Sequence, residues 1–182
     1  PLALNALALN VLTLGIPCIY YGSEQAFDGA GDNDRYIREA LFGGAFGAFR
    51  SRNRHCFDET HPIYLEFAKL LKVRAAHIGL RRGRQYLRPI SGNGQDFGHP
   101  IDGHCSLAYS RILDSDEVLV VLNLDGQARN DAITVDRHLS GPGRVMRDLL
   151  RPDYAATVVE THGRAHVRVE LPAHGIAVLK VG

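Results

Sequence analysis

Near residue 84 the spacing of apolar side chains changes from helical periods to alternation, and that change constrains the fold more than any other feature. Short segments at 85–90, 106–112, 118–124, 132–135, 145–150, 156–160, 167–171 and 176–181 read as strands separated by turn residues. The run HVRVEL at 166–171 alternates as a half-exposed strand should, and Asp125-Gly126 carries a hairpin-type turn signal. Many short strands in succession predict an antiparallel β-sandwich of Greek-key type rather than βαβ units.

Upstream the pattern is different. Residues 2–14, LALNALALNVLTL, carry apolar side chains all round, which predicts a helix buried on most sides and stopped by Gly15. The run IPCIYY at 16–21 is bounded by glycines and predicts a strand buried on both faces, as in a parallel sheet, with Pro17 at its start. Tyr20 and Tyr21 would then point to opposite sides, each against packed structure. Residues 22–35 form a polar, glycine-rich loop beyond that strand, and 36–52 read as a helical turn or two followed by irregular chain. A firmer helix starts at Pro62, with Ile63, Phe67, Leu70, Leu71 and Ile78 on one face and Gly79 as its stop. The expected fold class is therefore α/β plus all-β. The composition shift divides the chain into residues 1–100 and a β-sandwich at 101–182.

With 182 residues the chain is too short for a complete (β/α)₈ barrel, which takes about 250. It opens at Pro1 inside an apolar run and its single methionine is Met146, so it reads as a piece of a longer protein. The formal net charge of +1, with no basic stripe interleaved with aromatics, argues against a nucleic-acid partner. Arg81, Arg82 and Arg84 read as a solvated turn. No run of 18 apolar residues predicts a membrane span. Cys18, Cys56 and Cys105, an odd number at no metal-ligand spacing, suit a reducing compartment and a cytoplasmic location, with a signal peptide further upstream left open.

The run GIPCIYYGSEQ at 15–25 resembles the eighth barrel strand and following loop of the α-amylase family of glycoside hydrolases (family 13). It matches the family pattern at Gly15, Pro17, Tyr20, Tyr21, Gly22 and Glu24. The leucine-rich helix before it, DNDRYIREALFGG after it, the helix beginning HPIYLEF and the closing LPAHGIAVLKV follow in the family's order. The resemblance implies the last strand and helices of a (β/α)₈ TIM barrel followed by a Greek-key C-domain. It also implies a retaining glycosidase or transglycosylase acting on α-linked glucans, which needs two carboxyl groups about 5–5.5 Å apart. In the family these stand on earlier strands, so none is carried onto this chain. The isolated chain is expected to be inactive, and its partners are the missing N-terminal barrel portion and, through that barrel, an α-glucan or oligosaccharide.

Glu24, Gln25, Asp34 and Arg35 are the candidate substrate-binding residues, placed to wall the mouth of such a barrel; pinning the loop by salt bridges is the alternative. Asp28, Asp32 and Asp34 admit a calcium reading, but their spacing is not that of an EF-hand and a solvated loop is the default. Asp114, Asp116 and Glu117 crowd a second loop without the apolar flank that would raise a general acid's pKa. His99, His104 and Cys105 fall short of a zinc set, and no cofactor is expected. A second reading makes the β-rich half a carbohydrate-binding module. The chain has no tryptophan, and Tyr109 and Tyr154 are the tyrosines of that half.

Overall fold

Strand β4 (Asp116–Asn123) is buried along nearly its whole length, which requires cover on both of its faces. The computed structural model describes residues 1–27, 40–43 and 54–182, grouped as Pro1–Pro17 with Leu70–Gly182 and, separately, Cys18–Lys69. In the first group, ten antiparallel strands make two sheets. The others are β1 (Arg84–Leu87), β2 (Ile90–Ser91), β3 (Ser106–Leu113), β5 (Arg129–Thr134), β6 (Val145–Asp148), β7 (Ala155–Thr157), β8 (Val159–Thr161), β9 (Arg164–Leu171) and β10 (Ile176–Val181). One sheet has the order β1-β3-β4-β10-β6-β7 and the other β2-β5-β9-β8. Their facing sides form the core. Leu119, Val121, Met146, Ala177 and Leu179 from the first sheet meet Ile133, Val167, Val169 and Leu171 from the second.

Two expected strands each divide where the chain changes sheet. Pro89, which has no N–H for a ladder, separates β1 from β2, and its carbonyl accepts from Thr134 N at 3.0 Å. Val158 separates β7 from β8 and turns into the core. The Asp125-Gly126 turn also joins different sheets, β4 to β5, so it is not the hairpin that the dipeptide suggests. Asp125 Oδ1 accepts from Gln127 N at 3.1 Å and shapes a crossing turn instead. The sheets begin at Arg84, ahead of the composition shift near residue 100.

The outer face of β4 is covered by helices α1 (Leu2–Leu12) and α3 (Ile78–Arg82); a further helix, α2 (Pro62–Ala76), precedes α3. Burying Val118, Val120 and Leu122 there stabilises the fold by about 1.5–3 kcal/mol each. Helix α1 departs from the all-round burial expected of it: Asn5, Ala8, Val11 and Leu12 form one buried stripe, whereas Leu2 and Leu9 are exposed. Asn5 Nδ2 donates to the carbonyls of Asn123 at 3.1 Å and His174 at 3.3 Å. Gly79 is not a helix stop either; the break falls at His77, whose extended backbone separates α2 from α3.

Two arginines tie the helix ends to the sheet. Arg111, fully buried on β3, donates from its guanidinium to Leu12 O at 2.8 Å and to Gly83 O at 2.8 and 3.3 Å. Arg74 donates to Val11 O at 2.7 Å, Leu80 O at 2.8 Å and Gly15 O at 3.2 Å. Helix C-termini leave carbonyls without intrahelical donors and carry partial negative charge, so a cation placed there meets both needs. Gly83 must be glycine for space, since a Cβ would stand 2.5 Å from Gly79 O and 2.9 Å from Ile112 O. The buried Tyr109 hydroxyl feels both cations; burial pushes its pKa far up, against the pull of Arg111 and Arg74.

The run at 16–21 is not a strand. It has no ladder partner among the described residues, and Ile16, Ile19, Tyr20 and Tyr21 are exposed. A parallel strand takes its hydrogen bonds from neighbours on each side, and no strand among the described residues flanks this run. The helical turns expected at 36–52 lie almost wholly outside the described residues.

Asp131 is another buried charge, on β5 of the second sheet. Asp131 accepts from Ser106 Oγ at 2.7 Å and from Arg129 at 2.8 and 3.1 Å. Burial raises its pKa, but the bonds from Arg129 and Ser106 outweigh this and leave it below the usual aspartate value.

Two outcomes follow. Arg111→Leu strands the Leu12 and Gly83 carbonyls and should lower unfolding stability by about 2–4 kcal/mol in urea titration. The depressed Asp131 pKa contributes stability above the unfolded aspartate value of about 3.9 that disappears as pH falls through the lower folded value. Thermal melts from pH 5 to 2 should therefore show a decline that Asp131→Asn flattens.

Candidate functional site

The Gly22–Phe27 turn is set by glycine geometry and one carboxylate. Gly22 has φ of 89°, a left-handed value suited to glycine, and its carbonyl accepts from Gln25 N at 3.0 Å and Phe27 N at 3.1 Å. A single 3₁₀ turn follows over Ser23–Gln25, ended by Ala26 at φ 54°. Glu24 reaches back to accept from Gly22 N at 2.9 Å, so its carboxylate holds the turn's entry. Glu24 is the one acid between Gly15 and Phe27, where retaining chemistry needs a pair.

Gln25 faces inward. Its Nε2 donates to Asp58 O at 3.1 Å and its Oε1 accepts from Asp58 N at 2.9 Å, so both ends of the amide are used on the backbone of one residue. Asp58 in turn accepts from Thr60 N at 2.8 Å and Thr60 Oγ1 at 2.6 Å; these bonds hold its carboxyl below the usual aspartate range. An aromatic row continues the same group: Phe42 stands 5.7 Å from Phe57, which meets Tyr64 edge-on at 5.5 Å. Tyr20 and Tyr21 make an edge contact at 5.4 Å and both stay half-exposed, instead of packing on opposite sides of a strand.

Of the four expected substrate-binding residues, Glu24 and Gln25 thus serve the loop's own backbone, and Asp34 and Arg35 lie outside the described residues. Asp28 and Asp32 lie outside them too. Among the described residues no cluster of three or more His, Cys, Asp or Glu side chains is arranged to hold a metal ion. The cysteines are free thiols, and Cys105 donates to Asp102 O at 2.7 Å, with burial pushing its thiol pKa up.

The acids at 114–117 separate in the same way. Glu117 is fully buried and accepts from Arg88 Nη2 at 2.7 Å, from Ser110 Oγ, and from Asp136 N at 3.1 Å. Asp116 pairs with Lys180 at 2.9 Å, and Asp114 alone remains exposed at the hairpin tip, at φ 52°. Of the two tyrosines of the β-rich half, Tyr109 is buried and Tyr154 has Arg151 4.6 Å over its ring.

No protein-family model matches the chain. An α-amylase of Streptomyces lividans is 28% identical over 183 residues, a match covering 94% of this chain and 18% of that protein. Nearly the whole chain is thus similar to one stretch of a much longer α-amylase. Among solved structures, the cyclomaltodextrin glucanotransferase CldA superposes with a TM-score of 0.67 at 23% identity, over 99% of this chain and 32% of that one. The α-amylase of Geobacillus thermoleovorans gives 0.65 at 18% identity, over 99% and 33%. Both likenesses fix the fold, and the chain spans about a third of each structure.

Two residues of this architecture carry no signal in the family-like motif. Arg111 sits in SLAYSRIL with nothing to mark it as buried, and Tyr86 lies on the wrong side of the composition shift. Replacing Gln25 by alanine should release Asp58 and cost about 1–2 kcal/mol. Hydrogen exchange should show faster exchange of the Asp58 amide, with the sandwich amides unchanged.

Proposed function

We propose that this chain completes a retaining glycoside hydrolase or transglycosylase that acts on α-linked glucans, its catalytic carboxylates lying outside these 182 residues. The observation that carries the reading is a match to an α-amylase running through 94% of the chain rather than through the sandwich alone. The named relatives support the substrate class, since one is a cyclomaltodextrin glucanotransferase and another is an α-amylase complexed with acarbose.

In this reading the residues ahead of Arg84 close a barrel and those from Arg84 onward pack as its C-domain. Leu2, Leu9, Leu14 and Ile16 support it, as apolar side chains exposed on and just after α1 that barrel neighbours would cover. Glu24 and Gln25 then act on substrate at one remove, by holding the Gly22–Phe27 turn, and Asp34 and Arg35 remain the proposed direct substrate-binding residues.

The test is stereochemical and compositional. The complete protein should hydrolyse maltoheptaose with the α-anomer as first product by proton NMR, and a β-anomer would reject the retaining mechanism. The 182-residue chain alone should give no turnover, and hydrolysis by it would reject an external carboxylate pair.

A further inference from the structure

Tyr86 is the exposed aromatic that the sandwich presents at its open edge, and its surroundings are built unlike the rest of that edge. It stands on β1, the outermost strand of the six-stranded sheet, with 44% of its surface exposed. The register pairs Tyr86 with Ser110 and Arg84 with Ile112, which places these four side chains on the core-facing side of the sheet. Ser110 is fully buried there, whereas Tyr86 and Arg84 stay exposed. Two concavities of roughly 400 Å³ each lie there, sharing Tyr86, Ile112 and Asp114. Arg82 and Arg84 line one, and Asp136 and His138 line the other.

The floor is rigid. Arg88 is held by Ser110 Oγ at 2.7 Å and Glu117 at 2.7 Å, and Glu117 is locked in turn by Asp136 N. Asp136 Oδ1 accepts from His138 N at 2.9 Å and Leu139 N at 3.1 Å, which fixes the facing wall. Tyr86, Arg82, Arg84 and Asp114 make no hydrogen bond or ion pair through their side chains among the described residues. The site thus offers one aromatic face between free donors and free acceptors of both charges. An anion would meet Asp114 and Asp136, and a cation would meet Arg82 and Arg84. A neutral polyhydroxylated ring meets neither penalty: its C–H face covers the tyrosine while its hydroxyls bond to arginine and carboxylate.

We propose that this edge of the sandwich is a docking site for an α-glucan oligosaccharide, with one sugar ring stacked on Tyr86 and its neighbours held by Arg84 and Asp114. The choice of an α-glucan rests on the function proposed above; the site itself rests on Tyr86 and its lining. It would hold polymer away from the reacting bond and perform no chemistry.

Calorimetric titration of the chain with maltoheptaose tests this, with cellohexaose as a β-linked comparison and circular dichroism to check each variant's fold. Tyr86→Ala should weaken maltoheptaose binding at least tenfold, Tyr86→Phe should stay within about twofold because the ring is kept, and Asp114→Asn should weaken it about threefold. A folded wild-type chain that does not bind maltoheptaose overturns the proposal, as does binding indifferent to Tyr86→Ala. Equal binding of cellohexaose overturns the α-glucan assignment. Maltoheptaose hydrolysis by the complete protein is read separately. Tyr86-dependent binding without hydrolysis would leave this site standing and reject the enzymatic reading, and the reverse result would do the opposite.

Discussion

The fold hangs on cations bound to backbone rather than to carboxylates. Arg111 and Arg74 together take up carbonyls from the end of α1, from Gly15, from Leu80 and from Gly83, all on the outer face of the six-stranded sheet. A buried guanidinium without an acid partner is costly to desolvate, and burial lowers the pKa of both. What offsets that cost is the collection of helix-end carbonyls, each of which would otherwise lack a donor. The arrangement fixes where α1 and α3 sit on β4, and therefore why β4 is apolar on both faces while β9 alternates.

The β half was legible because alternation and turn residues report directly on a half-buried sheet, as HVRVEL does for β9. The exact partners were not legible. Val118–Leu122 is continuously apolar, and nothing local says that its second face is covered by a helix more than a hundred residues earlier. Asp125-Gly126 has the composition of a hairpin turn, yet the choice between returning to β4's own sheet and crossing to the other is made by core packing. Pro89 and Val158 show the same decision made at single residues.

The site was less legible for a physical reason. The residues that carry the family resemblance, Tyr20 to Gln25, overlap a run whose local pattern predicts a strand, and no ladder to it forms among the described residues. Gln25 and Glu24 have the side chains of sugar ligands, and only geometry shows them spent on Asp58 and Gly22. Tyr86 stands within the strand expected at 85–90, ahead of the composition shift near residue 100. The register of β1 against β3 brings it into the sandwich.

Asn5 has one more implication. Its amide joins the first helix to the carbonyls of Asn123 and His174, separations of 118 and 169 residues. Part of that helix's anchorage therefore waits on residues made long after it, and contacts of such sequence separation are slow to form. The apolar stripe of α1 is fully covered only once Asn123 and His174 are in place.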